Sequence, residues 1–78
     1  MTRKDYIALA EAFRQGLQAR INAWRNCGDD VSITTKIALH NQIVGYQDAI
    51  KMVANTAQAD NPAFKRNTFL AECGLIEV

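Results

Sequence analysis

Apolar residues recur at intervals of three and four along the first third of the chain, the spacing that places side chains on one face of an α-helix. Thr2 and Asp5 stand where the two partners of a capping box stand at a helix start. The segment after Asn26 has the glycine and aspartates of a turn. We therefore predict a first helix over about residues 3–26, with a stripe made of Tyr6, Ala10, Phe13, Leu17, Ile21 and Trp24.

A second series with the same spacing predicts a second helix over about residues 31–58. Asp30 and Ser32 are both candidate N-caps for it. The main stripe consists of Leu39, Ile43, Tyr46, Ile50, Val53 and Ala57. Ile33, Ile37 and Val44 form another apolar line on a different side of its first half, so that half has two faces to bury.

The C-terminal part predicts a shorter helix over about residues 62–73. Asn61 and Pro62 are typical of a helix start, with Pro62 in the first turn. The alternative is that residues 61–65 form a turn and the helix begins at Arg66. Gly74 stands at the left-handed position after a helix, from which Leu75 would fold back in a Schellman motif.

These elements predict an all-α fold within a single domain, residues 1–78. Two helices of roughly 35 to 40 Å, joined by a short loop, are expected to form a long antiparallel hairpin. The third helix is about half as long and follows the end of the second. It therefore covers only the end of the hairpin remote from the loop, where the apolar side chains are Tyr6, Ala10, Phe13, Ile50 and Val53.

The loop end of this hairpin is expected to lack a cover. The side chains concerned are Leu17, Ile21, Trp24, Ile33 and Ile37. Contiguous exposed apolar patches usually mark interaction sites. We therefore predict that they form a dimer or partner interface, giving a homodimeric helical bundle. The alternative is that the hairpin end bends, or that the long side chains of Arg20 and Arg25 cover the patch.

Composition limits the classes of protein to consider. The chain has 78 residues, 49% of them hydrophobic and 22% charged, which is typical of a globular protein rather than a disordered one. No stretch approaches the roughly 20 apolar residues that cross a bilayer. With only Cys27 and Cys73, we expect free thiols rather than a disulfide framework. Together these features predict a cytoplasmic protein without membrane contact.

The sequence presents no combination of residues typical of catalysis, metal binding or a cofactor. His40 is the only histidine, and no cysteine or carboxylate lies three or four residues from it, as a helical metal site would require. We expect it on the surface or at an interface. The acidic residues show no pairing that would separate an acid from a base, so we predict no enzymatic activity.

Cationic side chains could contact phosphates or an acidic partner. The candidates are Arg14, Arg20, Arg25 and Lys36. Eight acidic residues stand against nine basic ones, however, and the net charge is +1. No helix-turn-helix spacing is present. Nucleic-acid binding is therefore the less favoured interpretation.

The two ends of the chain resemble short proteins encoded by bacteriophages and prophages. The opening residues 1–6, Met-Thr-Arg-Lys-Asp-Tyr, resemble the start of such proteins. Residues 59–64, Ala-Asp-Asn-Pro-Ala-Phe, continued through Phe69-Leu70 and Cys73-Gly74, resemble their ending. The middle of the chain departs from these proteins, because both long helices are longer there than is common among them. The resemblance implies a structural cassette and brings no catalytic residue with it.

From the resemblance and the uncovered patch we predict a non-enzymatic accessory protein that acts by binding protein. Its expected partners are a second copy of itself and a host protein, and the function implied is inhibition of a host defence system, as in anti-CRISPR proteins. If the chain is phage-encoded, its location is the host cytoplasm. The alternatives are a small dimeric nucleic-acid-binding regulator and a structural or morphogenesis factor.

Overall fold

A computed structural model of the protein describes residues 2–28 and 31–75. These residues form three helices: α1 over Arg3–Arg25, α2 over Ile33–Asp60 and α3 over Arg66–Glu72. No strand occurs within the described ranges. The all-α class predicted from the sequence is confirmed, and the first two predicted helices agree with α1 and α2 to within two residues at each end.

The start of α1 is closed by the predicted capping box. The backbone N–H of Asp5 donates to the Thr2 hydroxyl oxygen over 3.3 Å, and the Thr2 N–H donates to the Asp5 carboxylate over 2.9 Å. This reciprocal pair satisfies two amides that have no partner inside the helix. The bond from the Thr2 backbone is the largest cause that lowers the pKa of the Asp5 carboxyl below its usual value of 3.8.

That lowered pKa predicts an acid-sensitive contribution to stability. A carboxyl whose folded pKa is depressed stabilises the fold above its unfolded pKa and loses that contribution as pH falls through the folded pKa. We expect the free energy of unfolding of Asp5→Asn to fall less between about pH 5 and about pH 2 than that of the unaltered protein, measured by urea titration. The control is Asp48→Asn, whose carboxylate makes no hydrogen bond with another described residue. If both variants retain the full acid sensitivity, the capping carboxylate does not contribute to it.

Of the two candidate N-caps of α2, Ser32 takes the role. Its backbone is extended (φ −65°, ψ 153°), and its hydroxyl oxygen accepts from the Thr35 N–H over 3.2 Å. The other candidate, Asp30, lies outside the described residues. The helix therefore begins at Ile33 rather than at residue 31.

The predicted range 62–73 for the third helix is wrong at its start, and the alternative start at Arg66 is correct. Asn61 is the C-cap of α2, and its side-chain oxygen accepts from the Ala63 N–H over 3.1 Å. The Phe64 N–H donates to the Asn61 carbonyl over 2.9 Å. Pro62 thus stands at the second position of a β-turn, where its fixed φ is favoured, and not in the first turn of a helix.

The end of α3 has the predicted Schellman geometry. Gly74 has φ +88°, a left-handed conformation that glycine adopts without a Cβ penalty. The Leu75 N–H donates to the Leu70 carbonyl over 2.9 Å, and the Gly74 N–H donates to the Ala71 carbonyl over 3.0 Å. Leu75 is consequently folded back and buried.

The core lies where all three helices meet, as the sequence predicts. The side chains predicted to be covered there are either buried or packed against the buried cluster. The buried cluster consists of Ala10, Leu17, Ile50, Ala54, Phe69, Leu70, Cys73 and Leu75. The prediction that Leu17 lies uncovered is wrong, since only 3% of it is exposed. Leu17 belongs to the cluster that also contains Leu75, and the chain after α3 lies against α1, where Gly74 is beside Arg14.

Candidate interaction surface

The half of the molecule remote from α3 contains no buried side chain among the residues described. None of the residues 18–28 and 31–49 is classed as buried. Positions later in α1 meet positions earlier in α2 here, since the Phe13 ring lies 6.1 Å from Tyr46 and the Trp24 ring 6.4 Å from His40. A contact between two helices, without a third layer, leaves much of each helix face open to solvent.

The five residues predicted as an interface divide into two groups. Leu17 is buried and Ile21 is half-buried against the core. The other three are large apolar side chains with much of their surface in water: Trp24 is 41% exposed, Ile33 75% and Ile37 54%. The structure therefore leaves these three as candidate contact residues and takes Leu17 out of the exposed patch.

Val44 extends this group and was absent from the predicted interface, although the sequence placed it on the same apolar line. It is 42% exposed. Ile33, Ile37, His40 and Val44 follow one another at steps of four, three and four, which places them within about 60° of one another around α2. We call Trp24, Ile33, Ile37 and Val44 the open surface.

His40 connects the two helices across the open surface. Its ring stands beside the Trp24 ring, with an angle of 52° between the two planes. The Cys27 thiol donates to the Trp24 carbonyl over 3.0 Å, which ties the end of α1 to the turn that follows. Trp24 is thus supported on one side and presents the rest of its ring to solvent, the arrangement of an anchor residue at an interface.

One alternative required Arg20 to cover the exposed apolar side chains, but Arg20 is held on Tyr46 instead. Its guanidinium carbon lies 4.2 Å from the centre of the Tyr46 ring, within the range of a cation–π contact. The same guanidinium donates to the Gly16 carbonyl over 3.0 Å. Gly16 permits the close packing here, since a Cβ at that position would lie 2.1 Å from the Tyr46 hydroxyl oxygen.

The four predicted cationic contacts are not gathered on one face. Arg14 and Arg20 lie about 120° apart around α1 at 3.6 residues per turn. Arg14 forms an ion pair with Glu11, and that hydrogen bond is the largest cause that raises the pKa of Arg14 and lowers that of Glu11. Arg25 is exposed at the end of α1, and Lys36 is half-buried on α2. With Arg20 on Tyr46, this arrangement provides no continuous track for a phosphate backbone.

The buried cysteine lacks the surroundings of a reactive thiol. Cys73 is fully buried, and burial raises the pKa of its thiol to about 11, with Glu72 as a lesser cause. At neutral pH the sulfur therefore stays protonated. Within residues 2–28 and 31–75 no three His, Cys, Asp or Glu side chains come together as metal ligands.

The described helices include none that is both long and apolar enough to cross a membrane.

The resemblance to short phage proteins depends on residues 1–6 and 59–74 of the sequence alone. In comparisons with family models, with curated proteins and with solved structures, nothing matches this chain.

Proposed function

We propose that this chain acts by binding protein, without chemistry of its own, and that the first partner of its open surface is a second copy of the chain. The observation that carries the proposal is the row of exposed apolar side chains at helical spacing on α2, next to a half-exposed tryptophan on α1. A row of this kind belongs in a helix–helix contact rather than in water.

The spacing favours a helix as the occupant. Three apolar residues and one histidine, Ile33, Ile37, His40 and Val44, follow one another at steps of four, three and four, the seam pattern of two helices that pack side by side. A second α2 presents the same seam, so two copies related by a twofold axis match without any further requirement on the partner. Complete burial of one isoleucine side chain is worth about 1.5–3 kcal/mol. In a symmetric dimer each residue of the open surface occurs in both copies, so each contributes its burial from both.

In this arrangement α1 and α2 form an antiparallel hairpin, and two hairpins make a four-helix bundle around the half that α3 does not cover. The contacts Phe13–Tyr46 and Trp24–His40 support the hairpin direction. The lack of any buried residue in positions 18–28 and 31–49 supports a core completed by association.

The biological role we propose is that of a small phage-type accessory protein that occludes a host protein, an inhibitor of a host defence system being the example closest to the resemblance. The resemblance of the two ends of the chain and the open surface together support this role. It places the protein in the host cytoplasm.

The test is the mass in solution of two matched variants. We expect the unaltered protein to sediment as a dimer at micromolar concentration and Ile37→Lys to sediment as a monomer, because a buried unpaired ammonium is strongly unfavourable. Ile37 is 54% exposed, so the substitution leaves the core intact and the helical circular dichroism should be retained.

The control is Met52→Lys, which adds the same charge to an exposed apolar position of the same helix. Met52 is 68% exposed and lies about 90° around α2 from the middle of the seam. We expect this variant to remain dimeric. A monomeric unaltered protein at micromolar concentration, or equal dissociation of both variants, would contradict the proposal.

A further inference from the structure

A cavity of about 330 Å³ opens at the other end of the molecule, between the start of α1 and α3. Its apolar lining combines three aromatic rings with one exposed aliphatic side chain: Tyr6, Phe64, Phe69 and Ile7. Ile7 is 49% exposed. The volume is at the lower end of ligand sites, which span about 300–1,000 Å³, so a ligand with one short apolar body fits it.

The rings form a continuous wall rather than a cage. The centroids of Tyr6 and Phe64 are 4.6 Å apart, and those of Phe64 and Phe69 are 5.5 Å apart. Aromatic cages bind a cation in the gap between ring faces. The rings here are in contact and leave no such gap for an ammonium group. The wall therefore offers apolar surface to a ligand and no enclosing cage for a cation.

The charged lining residues are separated along the cavity. Tyr6 lies beside Phe64 and Phe13 lies 6.4 Å from Phe69, so α1 and α3 start at the same end. Arg3 and Lys65 consequently share that end. Glu72 is seven residues beyond Lys65, a rise of about 10 Å along a helix, and its carboxylate forms no ion pair with either cation within the described residues.

Both cations are available to a ligand. Within the described residues, neither Arg3 nor Lys65 makes a hydrogen bond or an ion pair with another side chain. The cavity thus joins two unpaired cations at one end to an apolar wall, a distribution complementary to a molecule with an anionic head and an apolar body.

We propose that this cavity binds a small amphipathic carboxylate. The carboxylate lies between Arg3 and Lys65, and the apolar body lies along Ile7, Phe64 and Phe69 towards Glu72. The cavity shares no lining residue with the open surface.

Octanoate is the probe, titrated into the full chain and followed by calorimetry, with octylammonium as the probe of opposite charge and equal length. We expect saturable binding of octanoate and none of octylammonium. Arg3→Gln and Lys65→Gln should each weaken octanoate about two- to fivefold, as loss of one exposed ion pair does. Lys4→Gln is the matched control, since Lys4 is the exposed neighbour of Arg3 and does not line the cavity, and it should bind as the unaltered protein does.

Three results would overturn the proposal. These are the absence of octanoate binding at millimolar concentration, octylammonium binding as tightly as octanoate, and octanoate affinity unchanged in both Arg3→Gln and Lys65→Gln. The helical circular dichroism of each variant is recorded to show that the fold is retained, and the sedimentation behaviour of the unaltered protein reports separately on the dimer.

Discussion

Replacing Ile50 by alanine is expected to lower the free energy of unfolding by about 2–5 kcal/mol, the cost of removing a fully buried aliphatic side chain and leaving a cavity. Ile50 has no exposed surface, and it lies in the cluster where all three helices meet. A single core in a chain of fewer than about 80 residues rarely supplies more than about 3–5 kcal/mol in total. Urea denaturation should therefore find Ile50→Ala partly or wholly unfolded at room temperature.

Met52→Ala is the matched control on the same helix, two residues further on. Met52 is 68% exposed, and alanine has the higher helix propensity, so the free energy of unfolding should change by no more than about 0.5 kcal/mol. Equal losses in the two variants would show that the core does not lie between α1, α2 and α3 as described.

Gly16→Ala is expected to destabilise the protein although it improves helix propensity. The gain from propensity is about 1 kcal/mol. The new Cβ, however, would lie 2.1 Å from the Tyr46 hydroxyl oxygen and 2.8 Å from the ring carbon that bears it. The ring has to move, which disturbs its contacts with Arg20 and Phe13, and overpacking of this kind costs about 1–3 kcal/mol. Thermal and urea unfolding should show a net loss.

Gly45→Ala is the control, because a Cβ there meets no atom within 4 Å. It should stabilise the protein by up to about 1 kcal/mol, the propensity gain alone. A further variant separates the clash from other effects: in a Tyr46→Phe background the nearest clashing atom is gone, so Gly16→Ala should cost less there. Stabilisation by both glycine substitutions would contradict the close packing of Tyr46 on α1.

Local signals in the sequence indicate several of the helix ends. The capping box at Thr2 and Asp5, Ser32 as one of two candidate caps, and the Schellman motif at Gly74 each involve residues within a few positions of one another. Such bonds depend on backbone geometry over a single turn, and the sequence therefore indicates them directly.

The start of α3 was less well determined because Asn61 and Pro62 suit two local structures equally. Both residue types are frequent at a helix start and in a β-turn. In the structure the turn forms, and the start of α3 also makes a contact outside the segment, since Arg66 donates to the Asn55 side chain of α2 over 2.7 Å. That contact joins positions eleven residues apart, beyond the reach of local propensity.

The sequence by itself determined the all-α class, the capped ends and the apolar stripes, because each follows from residue type and from a period of 3.6 residues. Only the tertiary structure decided which residues of those stripes are buried against another helix and which remain exposed. It buried Leu17 in the same cluster as Leu75, placed Arg20 on Tyr46 and Gly16 against the Tyr46 hydroxyl, and left Trp24, Ile33, Ile37 and Val44 largely exposed. These outcomes depend on the distances between helices, which the order of residues along one helix does not specify.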